Sequence, residues 1–236
     1  MNVTTSTQSG RLIRQICGVL LALVGTAAIL LLTFWIGQQH AADVGRYFSY
    51  QAAGLVVAAI VVVGVSLLNG RKFLRWGSLD APSRHMKVLG VKPGESWSRV
   101  GVTFAVIISI VTGVFLALAY WDHLGSVSVN SWIIAFLLSI PLSASNALIE
   151  ELITRWAVVQ SLTGRSARFA PWVSALIFGS VHFFGIPGGP VGAVMAGFLA
   201  WLLARSIQDT RGIGWAWITH LCQDILIFTT TIALFL

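Results

Sequence analysis

Residues 131–162 read SWIIAFLLSIPLSASNALIEELITRWAVVQSL. An apolar run of this length exceeds the roughly 20 residues that a helix needs to cross a ~30 Å hydrocarbon core. Its middle nevertheless carries Ser143, Ser145, Asn146, Glu150, Glu151, Thr154 and Arg155. A charged side chain near the bilayer centre costs on the order of 3 kcal/mol on insertion scales, so each intramembrane carboxylate needs a specific reason. The stretch thus places the chain in a membrane and gives this helix a task beyond spanning it.

The flanking sequence supports the membrane reading. With 56% hydrophobic and 10% charged residues, and a mean hydropathy of +0.84, the chain is far from the roughly 25% charged residues of a soluble domain. Residues 1–10 are polar, small and aperiodic, and read as a disordered tail. Residues 11–236 then form a single transmembrane domain, because 236 residues leave no room for a soluble domain of normal size. Arg11 and Arg14 precede an apolar run to about Ile36, too long for a signal-peptide core and without a small-residue cleavage site before Asp43, so it reads as a retained helix. Further runs span about Gln51 to Leu68 and Val100 to Trp121, with no ionisable residue inside. After the central stretch come Phe169 to Phe184, Val191 to Ala204, and Gly212 to the terminus, with GIPGGP at Gly185–Pro190 as a tight turn. The expected fold is an all-α, polytopic transmembrane bundle of seven helices, or eight if the last segment breaks after Asp224. Cys17 and Cys222 lie in apolar stretches and form no disulfide framework.

The formal charge of +7 has a topological origin. Arg11, Arg14, the loop holding Arg71, Lys72, Arg75, Arg84, Lys87, Lys92 and Arg99, and later Arg165, Arg168, Arg205 and Arg211 alternate with loops that carry only Arg46. Cytoplasmic loops concentrate Lys and Arg, which puts the N-terminus inside and excludes nucleic acid as the partner of these charges. The basic loop could also hold anionic lipid headgroups, at about 1 kcal/mol per charge, although topology alone is the stronger account.

Glu150, Glu151 and Asp224 share apolar segments with Arg155, His182 and His220. Counted from the cytoplasmic helix ends, Glu150, His182, His220 and Asp224 lie about 12–20 Å deep at ~1.5 Å per residue, so all four can meet near mid-membrane. Glu151 precedes Arg155 by four residues, a favourable intrahelical ion pair best read as a structural clamp. Glu150 remains the freer carboxylate and the stronger functional candidate. His220 and Asp224 are also four apart, so the carboxylate can orient the imidazole. Phe178 stands one turn before His182 as a cavity wall. Taken alone, His182 reads more simply as a packing or helix-bridging residue.

Three segments together carry a family resemblance: EELITR at Glu150–Arg155, FGSVH at Phe178–His182 and HLCQD at His220–Asp224. They resemble the E-E-x-x-x-R, F-x-x-x-H and H-x-x-x-N/D motifs of the CPBP family, the CAAX proteases and bacteriocin-processing proteins also called Abi. The resemblance covers about 131–236, the expected catalytic core. It implies an intramembrane glutamic endopeptidase in which Glu150 and His182 hold and activate water. It also implies that His220 and Asp224 assist the oxyanion, with Glu151, Arg155 and Phe178 in support. Many members have asparagine where this chain has Asp224; an ionised aspartate cannot donate a hydrogen bond, so Asp224 must carry a proton or act by orienting His220.

A carboxylate base with a histidine to pass the proton on is a sound basis for peptide hydrolysis. The same inventory could ligate zinc through Glu150, His182 and His220, an alternative ranked behind a cofactor-free site. The expected partners are the lipid bilayer and a membrane-protein or lipidated-peptide substrate, and the short loops suit a prokaryotic plasma membrane. Two rival readings are a non-catalytic scaffold or bacteriocin-immunity protein on the same fold, and a proton-coupled transporter. The transporter reading lacks the repeated discontinuous helices such folds often show.

Overall fold

In the interior of a bilayer no water satisfies backbone groups, so an apolar chain of this kind closes its hydrogen bonds within helices. The computed structural model describes residues 3–39, 44–70, 74–184 and 188–236. Asp43, Arg71, Lys72 and the first half of the expected turn, Gly185, Ile186 and Pro187, lie outside the described residues. Among those described there is no strand, only isolated bridges of Pro82 with Ser96 and Met86 with Val91. The protein is an all-α, multi-pass membrane bundle.

Helix α1 spans Val3–Gln39 and so begins inside the stretch that reads as a tail. Extending an existing helix adds one hydrogen bond per residue fixed, which lets it run through small polar residues. Helix α2, Val44–Leu68, likewise starts before Gln51. Helix α3, Trp97–Ala119, is capped by Ser96, whose hydroxyl accepts from the Ser98 amide, and a short α4 at Trp121–Leu124 follows it. The central stretch forms one rod. Its first part, α5 (Val129–Glu150), is capped by Ser128 and tolerates Pro141 in its interior. A π-helical turn at Glu151–Trp156 leads into α6, Ala157–Ser161. A 3₁₀ turn at Gly164–Phe169 precedes α7, Ala170–His182; α8 spans Gly189–Thr210 and α9 Gly214–Ala233.

Five of these are long and apolar enough to cross a membrane: Gln8–Ile36, Gly45–Leu68, Trp97–Ala119, Val129–Ser161 and Gly189–Thr210. The all-α bundle of seven or eight helices expected from sequence is borne out, and two of its helices, α7 and α9, fall outside this set of five. Helix α7 has 13 residues, about 20 Å at 1.5 Å per residue, and α9 loses apolar character to His220, Gln223 and Asp224. Both are held by neighbouring helices instead of by hydropathy. Helix α9 continues unbroken past Asp224.

The central rod packs on α1, α2, α7, α8 and α9. One cluster joins Ala22 and Ile29 of α1, Val61 and Val65 of α2, Ile149, Ile153 and Trp156 of the rod, and Leu199 and Leu203 of α8. The α7–α8 crossing depends on glycine: a Cβ on Gly179 would lie 2.7 Å from the Ala193 carbonyl oxygen. Small residues of this kind let helix backbones approach closely in lipid. The outward faces are apolar, with Leu31, Val56, Ile110, Leu176 and Val194 all exposed.

The basic loop after α2 is a built structure, not merely a topological connection. The amides of Ile213 and Gly214 donate to the carbonyls of Arg75 and Trp76, and Trp215 Nε1 donates to Leu79 O at 2.9 Å. Asp209 accepts from the Arg84 amide and from Trp97 Nε1, and pairs with Arg84 Nε at 2.9 Å. The loop thereby locks the α8–α9 turn that sets the height of the last helix. Gly77, at φ 85°, sits where a Cβ would meet Thr210 O at 2.7 Å.

Candidate active site

The rod carries Glu150 as the last residue of α5, where the α-helix gives way to the π turn. Single π turns within α-helices are rare and recur at functional sites, because they re-aim the side chains that follow. Thr154 holds the turn locally, its hydroxyl donating to the Glu150 carbonyl at 2.7 Å and accepting from Arg155 Nη1 at 2.8 Å. Thr154 therefore serves the backbone, although the sequence puts it on the polar face with Asn146 and Glu150.

His220 of α9 is the hub of the cluster. Its Nδ1 stands 2.7 Å from Glu151 Oε1, while Nε2 lies 3.3 Å from Glu150 Oε2 and 3.5 Å from Asp224 Oδ1. Because a carboxylate accepts, the Glu151 contact places a proton on Nδ1 and turns Nε2 toward the other two acids. Glu151 Oε1 also lies 3.3 Å from Arg155 Nη1, and both side chains are fully buried. The intrahelical clamp expected from sequence is therefore also an interhelical tie to His220. Nor is Glu150 partnerless, since it faces the same imidazole and keeps 20% of its side chain exposed.

Phe178 of α7 fills the space between these groups. The Arg155 guanidinium lies 3.6 Å from its ring centroid, and the rings of His182 and His220 stand 4.1 and 5.7 Å away. Arg155 Nε and Nη2 have no hydrogen-bond partner, and the π face of Phe178 compensates part of that deficit. His182, at the C-terminal end of α7, directs Nδ1 to the Phe178 carbonyl at 2.9 Å, so Nδ1 donates and Nε2 is left as an acceptor.

Glu150, Phe178, His182, His220 and Asp224 line one cavity of about 360 Å³. Ile107, Val111 and Phe115 of α3 and Met195 and Phe198 of α8 form its apolar wall. Glu150 and His182 thus share a chamber, with no ion pair between them among the described residues. A carboxylate, an imidazole acceptor and a further carboxyl–imidazole pair around an apolar chamber can hold water, take its proton and meet developing negative charge. Among the described residues no group of three His, Cys, Asp or Glu side chains has the arrangement of a metal site.

Two layers of the site escape a reading that looks for charge. Gln51 of α2 donates through Nε2 to Asn146 Oδ1 at 3.3 Å, and Asn146 Nδ2 donates to Asp224 Oδ2 at 3.0 Å. Gln223 of α9 donates to Ser109 Oγ at 3.0 Å and accepts from Thr112 Oγ1 at 2.8 Å, tying α3 to the site helix. The available signal was the presence of uncharged polar residues in otherwise apolar spans, which hydropathy passes over.

Residues 130–226 match the family model described as Type II CAAX prenyl endopeptidase Rce1-like. The match begins at α5 and ends within α9, leaving α1, α2 and α3 outside it. No curated protein and no solved structure matches the chain.

Proposed function

We propose that this chain, whose residues 130–226 match the type II CAAX prenyl endopeptidase Rce1-like model, is a membrane protease of that family. The substrate is a prenylated or otherwise membrane-associated protein or peptide, cut within a prokaryotic plasma membrane whose cytoplasmic side holds the N-terminus. Glu150 and His182, which line the same cavity, bind the attacking water between them. Glu150 takes one proton as the water oxygen bonds to the scissile carbonyl carbon. The carbonyl oxygen becomes an oxyanion, stabilised by His220 and by a protonated Asp224. Breakdown of the intermediate expels the amine, which receives the transferred proton from Glu150 or through His182. Glu151 and Arg155 hold His220 doubly protonated, with Nδ1 donating to Glu151 and Nε2–H on the reaction side.

One observation supports this reading above the others: three helices bring Glu150, His182, His220 and Asp224 to one buried cavity. A packing role for each residue would not require them to share a chamber. The test compares the membrane peptidome of cells carrying the intact protein with that of cells carrying Glu150→Gln. Cleavage products present only with the intact protein are expected, since removing a general base costs roughly 10²- to 10⁴-fold. An unchanged product set with a folded Glu150→Gln protein overturns the reading and favours a scaffold.

A further inference from the structure

Helix α2 lies outside the family-matched segment, yet it reaches the site through Gln51, which is buried to 4% exposure. The hydrogen bonds there have a direction. An amide nitrogen only donates and its oxygen only accepts. Gln51 Nε2 donates to Asn146 Oδ1, and Asn146 presents Nδ2 to Asp224 Oδ2. A flipped Asn146 would set oxygen against carboxylate oxygen at Asp224, and the Gln51 amide, whose Oε1 has no hydrogen-bond partner, takes the direction that this bond sets. Oδ2 of Asp224 is therefore an acceptor, and a proton on this carboxyl belongs on Oδ1, the oxygen 3.5 Å from His220 Nε2.

The charge inventory calls for such a proton. Glu150, Glu151 and Asp224 face one guanidinium, Arg155, and the imidazole of His220, with His182 donating to a backbone carbonyl. With Arg155 and a doubly protonated His220 set against Glu150 and Glu151, the cluster is neutral only when Asp224 is a carboxylic acid. Buried charge without compensation is costly, which favours that neutral arrangement.

We infer that Asn146, linked to Gln51, is a positioning residue for hydrolysis: its amide occupies Oδ2 of Asp224 and leaves the O–H on Oδ1 as the donor facing the reacting carbonyl. The inference rests on the reading of Asp224 as an oxyanion donor. It brings α2 into the working site and shows how an acid can supply a hydrogen bond that an ionised carboxylate could not.

The experiment reverses the polarity of the pair while keeping its hydrogen bond. Cleavage of a prenylated peptide ending in a C-a-a-X sequence is measured for the Asp224→Asn variant and for the double variant Asn146→Asp/Asp224→Asn, each checked for folding by its thermal midpoint. In the single variant Asn146 still donates to the side chain at position 224, whose NH₂ takes the donor role. In the double variant the new aspartate accepts from that NH₂ and leaves an acceptor facing the reaction. The expected result is that kcat of the double variant falls about 10²-fold below that of the single variant, with KM within about threefold. Equal rates for the two would mean that only the bond matters, and would overturn the inference.

Should the double variant fail to fold, the infrared C=O band of a protonated carboxyl provides the second measurement. It must be present in the intact protein and lost in Asp224→Asn; its absence from the intact protein overturns the inference. Glu150→Gln, assayed alongside, separates the two levels. If it cleaves normally the catalytic reading fails, whereas a dead Glu150→Gln with equal rates for the pair sinks only the role of Asn146.

Discussion

The two halves of the molecule meet the same solvent with opposite solutions. Helices α1, α2 and α3 are apolar spans whose outward faces carry Leu31, Val56 and Ile110. The rod, α7 and α9 bury Glu151, Arg155, His220 and Asp224 among themselves. In the first half burial follows hydropathy, and almost any apolar residue of the right size serves. In the second half the buried Glu151, His220 and Asp224 each meet a partner on another helix, because lipid offers no substitute. Polar threads cross between the halves, among them Gln51 to Asn146 and Thr112 and Ser109 to Gln223, so the first half also helps to orient the second.

If this contrast is right, the most severe structural damage comes from unpairing a buried charge. Arg155→Met leaves Glu151 fully buried with only His220 beside it, and removal of one partner from a buried pair costs about 3–5 kcal/mol. Chemical unfolding in mild detergent should show a loss of that size, and a protein as stable as the parent would break the comparison. A smaller effect is expected at the α7–α8 crossing. Gly179→Val pushes side-chain atoms into the Ala193 carbonyl and should cost about 1–3 kcal/mol as overpacking does, seen as a lower thermal midpoint. The same substitution at Gly113 of α3, where a Cβ meets nothing within 4 Å, serves as the control that should leave the midpoint unchanged. The smallest change sharpens the contrast from the other side. Thr112→Val removes the bond to Gln223, and the average intramembrane hydrogen bond contributes about 0.6 kcal/mol. A loss of several kcal/mol there would mean that α3 is bound to the site more tightly than a single polar tie allows.

Much of the site is legible in the chain itself because charge in an apolar run stands out. Glu150, His182, His220 and Asp224 each violate hydropathy, and helical rise places them at similar depth. What stayed hidden follows from the same criterion. Gln51 and Thr112 carry no charge and so leave the apolar spans looking plain, and no spacing rule along one helix predicts a partner on another. The pairing of Glu151 illustrates the second limit: four-residue spacing points to Arg155, yet the shortest contact of its carboxylate is to His220, 69 residues away.

By itself the sequence determined the solvent, the helical class and the family-matched motifs, since these depend on composition, period and residue identity. Only the tertiary structure decided that α7 stops at His182, that α9 runs unbroken past Asp224, and that a π turn follows Glu150. It alone decided that His220 lies between two glutamates and that Gln51, Asn146 and Asp224 form one hydrogen-bonded chain. The reason is geometric: the orientation of a side chain about its helix axis, and the polarity of an amide, are settled by the group it meets across the bundle.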